Sequence, residues 1–200
     1  MKIEVMNPFQ QHNIVGKVVS AYQKVFGGEP WKEGYKCPIC GTEVPLNFEN
    51  EVCPACAGDG KSILLIESWP ASKVTSDFYK EMSKPEALCM VAEKENEVVG
   101  FAWGYKICIT SETDTYLDAP NVHKLVAGEV FYLDEVAVLP EYQGMGIGKS
   151  IVKEIFSAQK HKTILLRTLA DSPMFYLTKK MGGKVILNIS RGRVIMLLNL

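Results

Sequence analysis

A glycine-rich turn between an apolar, β-rich run and a helix is the stretch best suited to binding chemistry. Its polar and glycine residues are Gln143, Gly144, Gly146, Gly148 and Lys149. A helix that begins here presents unpaired backbone N–H groups and the positive end of its dipole. Glycine also lets a ligand come close to the backbone. A strand, a glycine turn and a helix start in this order predict an anion site, most simply for a phosphate.

Two common phosphate-binding motifs are excluded at this turn by their spacing. Residues 148–150 copy the Gly-Lys-Ser end of a Walker A loop, but that motif requires a glycine where Gln143 stands. A dinucleotide fingerprint, G-x-G-x-x-G, would need its last glycine at Lys149 or at Ile151. The turn also comes late in the chain, without a βαβ unit before it.

Four of the six cysteines form two Cys-x-x-Cys pairs, Cys37 with Cys40 and Cys53 with Cys56. Each pair directs two thiolates at one point, so the two pairs together supply the four soft ligands of a tetrahedral zinc site. Iron in a rubredoxin-like site is the chemical alternative. Four thiolates leave no open coordination position, so the metal would be structural. We expect residues 29–61 to form a small inserted zinc-ribbon-like module.

The elements that must position these groups alternate between strands and helices. Period-two patterns predict strands, and apolar residues at helical spacing predict helices. The predicted strands cover residues 2–6, 87–92, 98–109, 130–138, 163–169, 184–189 and 193–198. The predicted helices cover residues 14–26, 72–82, 147–156 and 173–181, and the polar stretch 110–128 has room for a further short helix. Ser172 followed by Pro173 is a typical helix start.

A third spacing does fit the glycine turn, because Gln143, Gly146 and Gly148 satisfy Gln-x-x-Gly-x-Gly. A Val-x-Val-x-Pro segment ends the strand before it, and Phe175-Tyr176 precedes Met181-Gly182 further on. In these motifs, and in the βα order around them, the sequence resembles the GNAT superfamily of N-acetyltransferases. The Phe-Tyr element departs from the family pattern, with one extra residue before the glycine and no aromatic after it.

The resemblance implies an α/β fold with a mixed, mostly antiparallel, splayed sheet flanked by helices. It implies one acetyltransferase domain over residues 1–200, with acetyl-CoA as the co-substrate. The turn amides would hold the pyrophosphate of coenzyme A; they belong to Gln143, Gly144, Met145, Gly146, Ile147, Gly148 and Lys149. The strand backbone at Val136, Ala137 and Val138 would bind the pantetheine arm. Asp171 and Ser172 stand where relatives often carry an asparagine that touches pantetheine.

The implied chemistry is direct attack of an amine on a thioester, which needs a base for the ammonium proton and an acid for the thiolate. Tyr176 matches the family's tyrosine acid; the alternative is a core aromatic beside Phe175. Asp134 and Glu135 are the candidate bases. Strand alternation places them on opposite faces, so we expect only one to face the cleft. Ordered water instead of a carboxylate, or a structural ion pair with Arg167, are the alternatives.

The acceptor is predicted only as a primary amine, in a small molecule or a protein. The acidic residues Glu112, Asp114 and Asp118 of the long polar stretch would suit a cationic acceptor. The rival function is a non-catalytic scaffold that uses the metal module to bind a partner. A homodimer would follow if the final strand paired with another chain.

Composition restricts the remaining classes of function. A net charge of −1 argues against a surface that coats nucleic acid. No apolar run approaches the roughly 20 residues of a membrane span. The first residues lack a signal peptide's basic start and long apolar core. Paired cysteines of metal-site type suit a reducing compartment, so we expect a soluble, cytoplasmic protein.

Overall fold

The computed structural model describes residues 2–6 and 12–200. Ten strands lie in this part of the chain: β1 (Lys2–Met6), β2 (Tyr35–Lys36), β3 (Glu43–Val44), β4 (Ile66–Glu67), β5 (Leu88–Lys94), β6 (Glu97–Ile109), β7 (Gly128–Val138), β8 (Thr163–Leu169), β9 (Lys184–Asn188) and β10 (Arg193–Asn199). Seven of them form the main sheet, in the order β1-β5-β6-β7-β8-β10-β9. Only β7 and β8 run parallel among these neighbours. The predicted mixed, mostly antiparallel sheet is confirmed.

Helices cover both faces of the main sheet. They are α1 (His12–Phe26), α2 (Pro54–Gly58), α3 (Ala71–Met82), α4 (Ser111–Tyr116), α5 (Val122–Leu125), α6 (Ile147–Ala158) and α7 (Pro173–Lys180). On one face α1 and α3 pack with Phe101 and Trp103 of β6. On the other face α6 buries the predicted apolar stripe against Ile164 and Met196. No described helix combines the length and the apolar character that a membrane crossing needs.

The long polar stretch 110–128 is ordered by its own side chains. It holds α4 and α5, whereas the sequence predicted a single short helix near its end. Asp114 accepts a hydrogen bond from the backbone N–H of His123 at 3.1 Å and lies 2.9 Å from the ring Nδ1 of the same residue. The Asp114 carboxylate therefore stabilises the loop itself.

The final strand takes an inner position in the sheet. β10 pairs with β8 on one side and with β9 on the other, so the described sheet ends in β1 and β9. The expectation that the final strand pairs with another chain was wrong. Its backbone N–H and C=O groups are occupied because the β9–β10 hairpin places the later strand against β8.

Two irregularities open the middle of the sheet. The parallel pairing of β7 with β8 ends at Leu133 opposite Leu166, and the two strands then diverge. A bulge in the β6–β7 pairing sets Trp103 opposite Glu135 and Gly104 opposite Leu133. Only glycine fits at position 104, because a Cβ there would stand 2.4 Å from the carbonyl oxygen of Tyr132. The candidate site lies where the two strands part.

Candidate active site

A cleft of about 470 Å³ lies against the diverging end of β7 and the start of α6. Most residues predicted to bind the cofactor line it: Val136, Ala137, Val138, Gln143, Gly144, Gly146, Ile147, Gly148, Lys149 and Ser172. Met145 is the exception among them, because it is 67% exposed and does not line the cleft. We call this space the cofactor cleft.

The glycine turn has the backbone shape that its sequence requires. Gly144 and Gly146 have φ of +77° and +81°, in the left-handed region where other L-residues are strained. Gly146 caps α6, whose first N–H groups have no partner within the helix. The Gln143 amide donates to the carbonyl oxygen of Val138 at 3.1 Å and so ties the turn to the strand end. This arrangement aims backbone donors and the positive helix end at one wall of the cleft.

Tyr176 lies in the first turn of α7 and borders the cofactor cleft. Its side chain is 56% exposed, with an edge-on contact to Phe175 at 5.4 Å between ring centres. The alternative of a core aromatic is therefore wrong. Ser172, buried at the helix start, accepts from the N–H of Phe175 at 3.1 Å and bonds the hydroxyl of Thr168 at 2.7 Å. Its hydroxyl fixes the start of α7, and so fixes where Tyr176 stands.

A narrow neck of about 30 Å³ occupies the gap between β7 and β8. It shares Val136 and Met174 with the cofactor cleft, and it is also lined by Asp134, Glu135 and Arg167. The neck therefore borders both the cofactor cleft and the two candidate bases.

Two further pockets converge on Asp134 and Glu135 from the far side of the neck. The insert-side pocket, about 260 Å³, is lined by Tyr22, Phe26, Trp31, Glu33, Lys36, Glu43, Ser68, Trp69, Lys73, Tyr132, Asp134, Glu135, Arg167, Thr168 and Arg193. The helix-side pocket, about 190 Å³, shares several of these residues and adds Val74, Asp77, Phe78, Glu81, Trp103 and Tyr116. Both pockets lie on the α1 and α3 side of the sheet.

The prediction that only one of Asp134 and Glu135 faces the site was wrong. Both residues line the neck and both pockets. The bulge explains this, because Asp134 is the extra residue that has no partner on β6. Strand alternation assumes a regular ladder, and the ladder is irregular here.

Three carboxyl groups share this buried region. Burial raises the pKa of Asp134, Glu135 and Glu81, and that of Glu81 rises to about 8. Asp134 accepts from the Tyr105 hydroxyl at 2.6 Å, and Glu135 accepts from the Tyr22 hydroxyl at 3.1 Å. The hydrogen bond from Tyr105 favours the charged form of Asp134, whereas Asp134 and Glu81 push the pKa of Glu135 further up. Of the two, Asp134 has a hydrogen bond that favours its charged form, whereas Glu135 lies beside negative charge that opposes its ionisation.

Arg167 lines the same pockets without bridging either carboxylate. Its guanidinium donates to the carbonyl oxygen of Leu117 at 3.1 Å. Among the described residues no ion pair joins it to Asp134 or Glu135, so the alternative of a structural ion pair with Arg167 does not hold. Its charge still lowers the pKa of Asp134, against the larger effect of burial.

The acidic residues of the long polar stretch do not reach these pockets. Glu112, Asp114 and Asp118 are absent from the linings of the cofactor cleft, the neck and both pockets. Asp114 is engaged inside the loop, and Asp118 accepts from the Ser190 hydroxyl at 3.3 Å. Acceptor recognition by these three carboxylates finds no support in the structure.

The residues that sequence reasoning missed come chiefly from the insert. Glu33 is buried, accepts from Arg193 at 2.5 Å and from the Trp69 indole N–H at 3.1 Å. Trp31 lines the neck, the cofactor cleft and the insert-side pocket. Glu33 and Arg193 lie 160 positions apart, and no local pattern marks either of them.

The four paired cysteines meet at one point in the insert. Their sulfur atoms lie within 4.8 Å of one another, with Cys37 3.7 Å from Cys56 and Cys40 3.5 Å from Cys53. Thiolates about 2.3 Å from a tetrahedral zinc stand about 3.8 Å apart, so the cluster fits a metal ion. Each pair sits on a tight turn, one before Gly41 at φ +72° and the other at the start of α2.

Comparison with known proteins agrees with this arrangement. It places the chain among the acetyltransferases, and proteins of the same fold have been solved with coenzyme A or acetyl-CoA. The chain belongs to the Acetyltransferase (GNAT) family. The profile of that family matches residues 56–174, which are more than half of this chain. No curated protein sequence matches the chain significantly. Tyr176 and the last two strands lie beyond the matched region.

Solved structures share the fold at low sequence identity. A protein from Pyrococcus horikoshii is 16% identical with a TM-score of 0.59, covering 100% of this chain and 98% of its own. The PaiA N-acetyltransferase of Thermoplasma acidophilum, solved with coenzyme A, is 13% identical with a TM-score of 0.52, covering 100% of both chains. A GNAT family acetyltransferase of Brucella melitensis, solved with acetyl-CoA, is 16% identical with a TM-score of 0.52. The match covers 100% of this chain and 87% of the Brucella protein.

Proposed function

We propose that the protein transfers the acetyl group of acetyl-CoA to a primary amine by direct attack in a ternary complex. The observation that carries this is the neck at the β7–β8 divergence, which is lined by residues of the cofactor cleft and by the two candidate bases. Coenzyme A would lie along the turn and strand of the cleft. The amine would enter from the pockets on the far side.

Asp134 is the proposed base. It takes the ammonium proton, directly or through a water, and the freed nitrogen lone pair attacks the thioester carbon. The carbon–sulfur bond then breaks, and the Tyr176 hydroxyl gives its proton to the leaving thiolate. The second proton, lost by the nitrogen as the amide forms, restores the tyrosine hydroxyl through solvent. Asp134 borders the neck and Tyr176 borders the cofactor cleft, so base and acid would act from opposite ends of the reacting group.

The cysteine cluster is proposed as a structural zinc site, with iron as the chemical alternative. Cys37, Cys40, Cys53 and Cys56 would hold the ion and leave no position for substrate. We take residues 1–200 as one domain with the module of residues 29–61 inserted, and β4 extends the small sheet of that module. The ion would stabilise a segment that walls the insert-side pocket.

The test combines calorimetry with thiol release. Acetyl-CoA is titrated into the protein, and free thiol is then measured with a panel of primary amines. Binding together with amine-dependent thiol release is expected. Failure to bind acetyl-CoA would reject the enzyme; binding without thiol release from any amine would favour the non-catalytic scaffold.

Replacing Tyr176 by phenylalanine removes the proposed acid and keeps the ring. We expect kcat to fall by about 100-fold, the lower end of the range of general acid catalysis, with little change in the KM for acetyl-CoA. Steady-state thiol release measures both values. Tyr79→Phe is the matched control, because Tyr79 packs on Phe78 away from the cofactor cleft. An unchanged kcat in Tyr176→Phe would remove Tyr176 from the mechanism.

Replacing Glu81 by glutamine should change how stability depends on pH. The pKa of Glu81 lies near 8 in the folded protein against an ordinary 4.5, so the folded state holds a proton that the unfolded chain releases. Its contribution to the free energy of unfolding is therefore complete at low pH and is lost as the pH rises to about 8. The urea concentration at the midpoint of unfolding should differ less between pH 5 and pH 9 in Glu81→Gln than in the native protein.

The same substitution should move the pH profile of the reaction. Glu81 shares a hydrogen bond with Asp134 that lowers the pKa of the proposed base. A glutamine amide is a weaker donor than a carboxyl group, so the rising limb of kcat/KM is expected at higher pH in Glu81→Gln. A limb that stays in place would mean that Glu81 is not coupled to the base.

A further inference from the structure

The insert-side pocket contains charges of both signs, and some of them already have partners. Glu33 pairs with Arg193 at 2.5 Å, and Glu43 lies 3.7 Å from Arg191. Lys73 pairs with Asp77 and lies over the Trp69 ring. These charges are satisfied within the protein.

The charges that remain fall into two groups. At the floor, Asp134 bonds the Tyr105 hydroxyl and Glu81, and Glu135 bonds the Tyr22 hydroxyl. Neither carboxyl group forms an ion pair with a cation among the described residues. In the walls, Lys36 and Arg167 have no carboxylate partner within the described part of the chain. The pocket thus offers an acidic floor and two unpaired cations together.

A buried hydroxyl in the same pocket supports the binding of a polar group. Ser68 is only 6% exposed, and its Oγ has no hydrogen-bond partner. Its backbone N–H donates to the carbonyl oxygen of Gly34 at 3.0 Å, which holds the residue in place. Buried hydroxyls are almost always hydrogen-bonded, so an unpartnered one on a pocket wall indicates a missing acceptor or donor.

We propose that the insert-side pocket binds a zwitterionic acceptor, an amino acid whose amine and carboxylate are both free. The ammonium would lie at Asp134 and Glu135, and the carboxylate would lie among Lys36, Arg167 and the Ser68 hydroxyl. The proposal rests on the proposed function, because the bound amine is the one that attacks acetyl-CoA. A linear diamine would bring its second positive charge to Lys36 and Arg167 and be repelled.

The walls also indicate the side chain of the acceptor. Tyr22, Trp31 and Trp69 supply aromatic surface in the walls of the same pocket. Tyr22 meets Trp69 edge to face at 5.5 Å between ring centres, which makes this surface rigid. A volume of about 260 Å³ suits a single amino acid with an apolar side chain.

The test uses pairs of acceptors that differ only by the carboxylate. L-phenylalanine is compared with 2-phenylethylamine, L-leucine with 3-methylbutylamine, and L-lysine with cadaverine, by thiol release from acetyl-CoA. We expect kcat/KM to be at least about tenfold higher for each amino acid, because a site built for a charged group rejects the analogue that lacks it. An amine that reacts as well as its amino acid would overturn the proposal.

A variant assigns the preference to the pocket. Lys36→Met removes the wall charge and should reduce the preference for the amino acid several-fold, with acetyl-CoA affinity unchanged. Lys160→Met, at an exposed position beyond α6, is the matched control and should leave the preference intact. A preference that Lys36→Met does not reduce would contradict the assignment.

Calorimetric titration of L-phenylalanine into the protein saturated with coenzyme A separates this proposal from the proposed function. Binding of L-phenylalanine without thiol release would support the zwitterion site and reject catalysis. Thiol release with the simple amines alone would support catalysis and reject the zwitterion site. No binding and no turnover would reject both.

Discussion

Asp134→Asn should lower kcat by about 100-fold or more, because general base catalysis contributes roughly 10²- to 10⁴-fold and the substitution removes the base while keeping its shape. The Tyr105 hydroxyl can still donate to the amide oxygen, so the pocket should remain intact. Steady-state thiol release with a reactive amine measures the loss. Acetyl-CoA affinity, measured by calorimetry, should not change, since Asp134 does not line the cofactor cleft.

Glu135→Gln is the matched control. Glu135 neighbours Asp134 and borders the same pockets, but burial and the nearby acids Asp134 and Glu81 raise its pKa and disfavour its charged form. A glutamine amide keeps the shape of this side chain, so we expect kcat to fall by less than about tenfold. If Glu135→Gln lowered kcat more than Asp134→Asn, Glu135 would be the base. If neither substitution lowered kcat, an ordered water would act as the base.

Cys53→Ser should have the largest effect on stability. Cys53 is fully buried, caps α2 and supplies one of the four sulfur atoms of the cluster. Structural zinc contributes about 10 to 16 kcal/mol to the folding of small metal-dependent domains, so loss of one ligand should unfold the insert. We expect the variant to lose bound metal, measured by elemental analysis, and to melt at a lower temperature.

Unfolding of the insert should weaken binding of the amine more than binding of acetyl-CoA. The insert supplies Trp31, Glu33 and Lys36 to the pocket, so the KM for the amine should rise more than the KM for acetyl-CoA. Cys108→Ser is the control, because Cys108 is exposed and lies outside the cluster. A protein that binds no metal, or a Cys53→Ser variant that melts like the native chain, would contradict the structural metal site.

Much of the fold follows from local patterns in the sequence. The period-two run before the glycine turn is β7, and the apolar spacing after it is α6. Ser172 and Pro173 begin α7 as predicted, with the serine side chain accepting from Phe175. These features depend on short-range physics, namely side-chain periodicity, capping and the conformations open to glycine. The Cys-x-x-Cys spacing within each pair is also a local pattern. The structure brings the two predicted pairs together.

The rest depends on contacts between distant parts of the chain. The bulge that turns Asp134 toward the neck arises where β6 meets β7, and Gly104 gives little sign of it alone. The link between Glu33 and Arg193 joins the insert to the strand nearest the end of the chain. The inner place of β10 follows from how the hairpin docks, which strand propensity does not encode. The proposed acceptor site depends on these long-range contacts.

Trp31 has a consequence for how the protein can be observed. The chain has three tryptophans, Trp31, Trp69 and Trp103, and each lines at least one of the pockets around Asp134. Trp31 also borders the cofactor cleft. Indole emission responds to the polarity around the ring, so the emission of the unlabelled protein should change when either proposed ligand binds. Comparison with Trp31→Phe would separate the signal of the thioester from that of the amine.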